Sequence, residues 1–248
     1  MSLNLCKWNG EPRYSSGCVC QLSSGSVKLC KLLAYIIPDQ LRHWVYLVSD
    51  DALETASSIL SDIGLPLTPA LELLVESKGD FYAKARLHRI TRSTSMSAVQ
   101  YIQLLLPLSF PSFSHSELTP TLPLPSLATP RSNAILFPNQ PAVYASILRT
   151  MLAYPLYCAT RSVLESNLSE LIGYNLYDLQ MGYVDLDDED LCQELELDRR
   201  VDDALHVVKG WGWDGAWREE EEWMGDALAA VVAGHGEIEW LPWAPQYV

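Results

Sequence analysis

Eight of the fifteen prolines crowd into one stretch, at Pro107, Pro111, Pro120, Pro123, Pro125, Pro130, Pro138 and Pro141. Each fixes φ near about −65° and removes a backbone donor, so long helices and central strands are predicted to stop there. Only a short strand near 134–137 is expected within it. The stretch parts a chain of 248 residues into two portions of different character. A connection this long in a compact protein is a functional lid or an inter-domain crossing, and the change of composition after it favours a crossing.

Upstream, Leu41-Arg42-His43-Trp44-Val45-Tyr46-Leu47-Val48 is dense in β-branched and aromatic residues and reads as a central strand. Ser49, Asp50 and Asp51 offer helix-capping chemistry. Apolar positions Leu53, Ala56, Ile59 and Leu60 then recur at helical spacing up to Gly64 and Pro66. A second buried strand is predicted over 98–106. Between them, Phe81 to Thr94 is ambiguous. As a strand it sets Lys84, Arg86 and His88 on one face; as a helix it stacks Arg86, Arg89 and Arg92. Strands mixed with helices argue for an α/β or α+β domain.

Downstream, apolar residues recur at three and four over 142–154, 159–171, 190–210 and 215–232, which predicts an acidic helical layer. The charge divides in the same way. Residues 1–164 hold thirteen Lys and Arg against ten Asp and Glu, while 165–248 hold four against twenty-one. That balance argues against nucleic-acid binding over the whole surface, because phosphates are neutralised by clustered Lys and Arg. A local basic groove in the first part stays open. The acidic end suits either a solvated face or a cationic partner, small molecule or protein. Six of the eight tryptophans lie in the last 38 residues, where packing is the first expectation.

The expected organisation is an irregular segment over 1–31, an α/β layer over 32–106, the Pro-rich crossing over 107–141 and the helical layer over 142–248. No stretch nears the roughly 18 consecutive apolar residues of a membrane span. The first twenty residues, with Lys7, Glu11, Pro12 and Arg13, lack a signal-peptide core, so a cytoplasmic location and reduced cysteines are expected. Cys18, Cys20 and Cys30 lack zinc-knuckle spacing, and no Gly-x₄-Gly-Lys-Ser/Thr, Gly-x-Ser-x-Gly or His-Glu-x-x-His frame occurs. No cofactor or metal is assigned.

Two constellations carry the candidate chemistry. Lys84, Arg86, His88, Arg89 and Arg92, closed by Ser93 and Thr94, form a candidate substrate-binding cluster for a phosphate, nucleotide or tRNA backbone; a solvated strand edge is the alternative. Glu221 interrupts the stripe Trp217, Met224, Leu228 and Val231, and Asp202 falls near Leu191, Leu195 and Leu205. Burial raises a carboxyl pKa, so Glu221 and Asp202 are the candidate catalytic acids. A salt bridge to Arg199, Arg200 or Arg218 is the alternative.

The run from Val45 to Gly64 resembles the strand-then-helix stretch that follows the catalytic carboxylates in nucleotidyltransferase-fold proteins, especially uncharacterised fungal ones. The resemblance implies a nucleotidyltransferase-like mixed sheet with helices. In active members a Gly-Ser loop and an Asp-x-Asp pair hold a divalent metal and a nucleoside triphosphate. Here Arg42, His43 and Trp44 stand where paired acids would, and Gly25-Ser26 lies far from Asp50. The reading is a transferase-type protein that binds a nucleotide or nucleotide-activated substrate between the basic cluster and the acidic helices. One form would use aminoacyl-tRNA, as fungal arginine-containing cyclodipeptide synthases do. The alternative is a catalytically inactive binding or interaction protein on the same fold.

Overall fold

A computed structural model describes residues 29–31, 43–90, 102–107, 109–110, 113–121, 135–179, 189–213 and 216–241. Helices and one mixed sheet make up these residues, in keeping with an α/β or α+β class. The sheet has seven strands among the described residues: β1 (Leu29–Lys31), β2 (His43–Val48), β3 (Leu67–Thr68), β4 (Arg86–Arg89), β5 (Ile102–Pro107), β6 (Leu118–Thr121) and β7 (Ile135–Pro138). Their spatial order is β3-β4-β5-β2-β1-β7-β6. β2 pairs parallel with β5 and antiparallel with β1, and β1 pairs parallel with β7. Residues 29–31 were expected to be irregular. They form a strand because each side offers them a backbone ladder.

Side-chain alternation along β2 separates two packed faces. Tyr46 and Val48 pack with Ala56 and Leu60 of α1 (Leu53–Asp62). Leu47 packs on the other side with Leu87, Leu106, Tyr82 and Phe110. The predicted strand-into-helix unit is therefore present, although Asp50 does not cap α1. A short 3-10 turn, Asp50–Ala52, intervenes, and Asp50 accepts instead from the Ser109 amide at 3.0 Å. α1 ends at Asp62, and Gly64 just beyond its cap turns the chain with a φ of +92°, which suits glycine. The ambiguous segment resolves into both forms, with α3 (Asp80–Ala83) running into strand β4. α2 (Glu72–Lys78) precedes α3.

The Pro-rich crossing carries more structure than its composition predicts. Besides β7 it contributes the 3-10 turn His115–Glu117 and β6, and the two strands pair antiparallel. Asn139 then caps α4 (Gln140–Leu152) by accepting from the Ala142 amide at 2.9 Å. α5 (Ala159–Leu171) follows and ends in a π-turn, Ile172–Leu176.

The helix predicted over 190–210 is two helices, α6 (Glu189–Glu194) and α7 (Leu197–Trp213). They are parted at Glu196, whose φ of +50° breaks the helical path. The helix predicted from 215 begins only at Glu222 as α8 (Glu222–Val232). Leu148, Met151, Leu168 and Leu228 are fully buried where α4, α5 and α8 meet, joined by Val208 and Trp211 of α7. Phe81 and Tyr154 touch both this core and the one beneath the sheet, so the two cores are continuous.

Candidate functional site

Glu221 is not on the apolar stripe of a helix. It is the residue before the first turn of α8, and Trp217 lies ahead of that helix altogether. Its carboxylate nonetheless lies largely buried, because Arg149 of α4 grips it. Arg149 Nε donates to Glu221 Oε1 at 2.8 Å and Oε2 at 2.9 Å, and Arg149 Nη2 donates to Oε2 at 2.6 Å. The same Nη2 donates to Glu117 Oε1 at 2.8 Å. Arg218 holds Glu117 from the other side, through Nε to Oε1 at 3.1 Å and Nη2 to Oε2 at 2.7 Å. The Ser114 amide donates to Oε2 at 2.7 Å.

Two arginines and two glutamates thus close a neutral group joining the crossing, α4 and the turn before α8. Burial alone would raise the Glu117 carboxyl, but the donors Arg218, Ser114 and Arg149 outweigh it and hold it below its ordinary range. Burial would likewise lower Arg149, and the two carboxylates more than reverse that. Of the three partners weighed for Glu221, Arg218 belongs to the cluster, whereas the residue that grips the carboxylate is Arg149. The signal for Arg149 was present in sequence, a lone charge in the apolar run Val143 to Met151. Its partners lie 32 and 72 residues away, where no local pattern points.

Asp202 is exposed on α7. Its expected neighbours Leu191 and Leu195 belong to or follow α6, and the break at Glu196 removes the single wheel that placed them together. Leu197, Ala204, Val208 and Trp211 form the buried stripe of α7 instead. Glu221 and Asp202 therefore occupy different settings, one in a buried ion cluster and one on an outer helix face.

The basic residues do not share one open face. Arg86, on the α1 side of β4, forms an ion pair with Glu54, with Nε to Oε1 at 2.9 Å. His88 is fully buried; its Nε2 lies 2.9 Å from Ser57 Oγ and its Nδ1 2.9 Å from the Leu65 carbonyl. It is a packed core histidine that ties β4 to α1. Arg89 alternates to the opposite face, and its Nε is buried without a hydrogen-bond partner among the described residues. Arg92, Ser93 and Thr94 lie outside the described residues.

Lys84 precedes the strand and is about half exposed. Its ammonium sits 2.9 Å from Asp80 Oδ2 and 3.1 Å from the Tyr154 hydroxyl, with the Phe110 and Tyr154 ring centroids at 5.5 and 5.7 Å. Tyr154 donates to Asp80 Oδ2 at 2.6 Å. The hydrogen bonds from Tyr154 and Lys84 lower the Asp80 carboxyl, and the one to Asp80 raises the Lys84 ammonium. Sequence reasoning missed Asp80 and Tyr154 because they are 74 residues apart.

Among the described residues, no group of three or more His, Cys, Asp and Glu side chains is arranged to hold a metal ion. No described helix is long and apolar enough to cross a membrane. Comparison with protein-family models, curated proteins and solved structures gives no match for this chain.

Proposed function

We propose that this chain is a binding protein of the interaction class, built on a nucleotidyltransferase-like scaffold, which holds a cationic partner through its acidic helical layer. The observation that carries the reading is the Arg149 grip on Glu221. That carboxylate is held by a guanidinium of the same chain, in a largely buried structural ion pair rather than turned toward a substrate. His88 is engaged by Ser57 inside the fold, and Arg86 is paired with Glu54 at the surface. The acids of α7 face solvent, as Asp202 and Asp203 do, where they attract positive charge. The scaffold assignment rests on the resemblance of residues 45–64, whose strand and helix are β2 and α1.

Transfer from a nucleotide or an aminoacyl-tRNA is the second reading, and Lys84 favours it. Its ammonium is half exposed beside a tyrosine and an aspartate, a setting that could receive a phosphate oxygen. Mass spectrometry of protein purified without nuclease, and of products formed with nucleoside triphosphates or aminoacyl-tRNA, separates the two. The binding reading expects no retained nucleic acid and no turnover. A retained tRNA, or a product lost on Lys84→Ala, would overturn it.

A further inference from the structure

The connection from α4 to α5 exposes three large side chains in succession, Leu152 at 50%, Leu156 at 41% and Tyr157 at 86%. Tyr157 is held at φ +66°, a left-handed backbone that costs an aromatic residue about 1 kcal/mol or more. Strain of this kind survives where the surroundings over-determine it, and it clusters at binding surfaces.

What fixes the connection is Arg161, itself 5% exposed. Its guanidinium donates to the Met151 carbonyl at 2.8 Å, to the Glu239 carbonyl at 3.2 Å and to Glu165 Oε1 at 2.7 Å. One buried fork thus clamps the end of α4 to the 3-10 turn Ile238–Trp240. Leu152 follows one acceptor and Trp240 follows the other, so the backbone entering the α4–α5 connection and the backbone entering Trp240 meet at one guanidinium. Trp240 is 58% exposed, and its indole N–H donates to Glu237 Oε2 at 2.8 Å. Glu237 and Glu239 are both exposed.

We infer that this rim is a docking surface for a guanidinium-bearing peptide segment of a partner protein, an inference that rests on the interaction-protein reading and locates its site. Charge complementarity selects the occupant. Exposed Trp and Tyr rings with aliphatic neighbours accept a planar cation on their faces, and flanking carboxylates pair with it. Aromatic residues of this type anchor protein interfaces, whereas an isolated exposed leucine carries no such meaning.

The test is fluorescence anisotropy of the full chain with fluorescein-labelled hexa-arginine and hexalysine peptides of equal charge. The expected result is preferential binding of hexa-arginine, because only the guanidinium stacks. Tyr157→Gly with Trp240→Ala should weaken hexa-arginine about tenfold or more and erase its preference over hexalysine. Both positions are exposed and Tyr157→Gly relieves strain, so the variant should fold, which circular dichroism checks. Equal binding of both peptides, unmoved by these substitutions but lost on Asp202→Asn with Asp203→Asn, would overturn the rim while leaving a cationic partner in place. No binding of either peptide would overturn both readings.

Discussion

Arg149 is the residue on which most of the buried charge depends. Removing it leaves Glu221 without its guanidinium and Glu117 with Arg218 alone, in a place with little water, and losing one partner of a buried pair costs roughly 3–5 kcal/mol. Arg149→Met should therefore lower the urea midpoint sharply. Adding Glu221→Gln to it should cost less than the sum of the two single changes, because the groups share one network. Acid acts on the same place. The folded Glu117 carboxyl lies below its unfolded value of about 4.3, so its contribution is present above that pH and fades as pH falls through the folded value. Between pH 6 and 3 the wild-type chain should lose more stability than Glu117→Gln, and parallel pH-dependent urea melts would measure the difference. Tyr157→Gly should move the other way and raise stability by about 1 kcal/mol, since glycine adopts its positive φ without strain; a drop in the melting temperature would refute that. At this scale Glu221 stood out in the sequence as an acid on an apolar stripe, a stripe that α8 does not form because it begins only at Glu222. Its partner was not legible, because a hydrogen bond across 72 residues leaves no periodic trace.

Among the elements, α8 shows how a neighbour reverses a local rule. Glycine to alanine inside a helix ordinarily adds up to about 1 kcal/mol of stability. At Gly225 an added methyl would meet the Trp217 indole Nε1 at 2.7 Å and Cε2 at 2.9 Å. Gly225→Ala should instead destabilise by about 1–3 kcal/mol. Trp217→Ala, which takes the whole indole away from Gly225, should make the same substitution far less harmful, and a double-mutant cycle by chemical denaturation reads this directly. α8 begins late because Glu220 holds φ at +69°, which breaks the helical path just before it. Residues 217–221 turn so that Trp217 can lie on Gly225 and Glu221 can reach Arg149, although their spacing alone suits a continuing helix. β2 and α1 were legible because a dense run of β-branched and aromatic residues and then a helical period are strong over 43–62. β4 was not, because four residues cannot distinguish the periods, and its packing on α1 through His88 and Ser57 decided between them.

For the whole molecule, the continuity of the two cores through Phe81 and Tyr154 has a consequence for unfolding. Helical circular dichroism and tryptophan fluorescence should report one coincident transition, even though the tryptophans concentrate in the last portion of the chain. Two separated midpoints would show that the sheet and the helical layer stand alone. The Pro-rich stretch was legible by its composition, while the charge turns acidic only after residue 164. That its own strands β6 and β7 complete the sheet was hidden, because a proline-bearing strand is accepted only at particular ladder positions, which pairing reveals and sequence does not. The pairing of Cys30 with Leu136 closes a loop of about a hundred residues. Local contacts such as β4 with β5 can form within microseconds to milliseconds, but a register between such distant segments is slow to find. Until residues 29–31 arrive, one backbone edge of β2 has no partner, and an open central strand is a template for a second chain. The speed with which this loop closes during refolding should therefore set how concentrated the protein can be before its own copies compete for that edge.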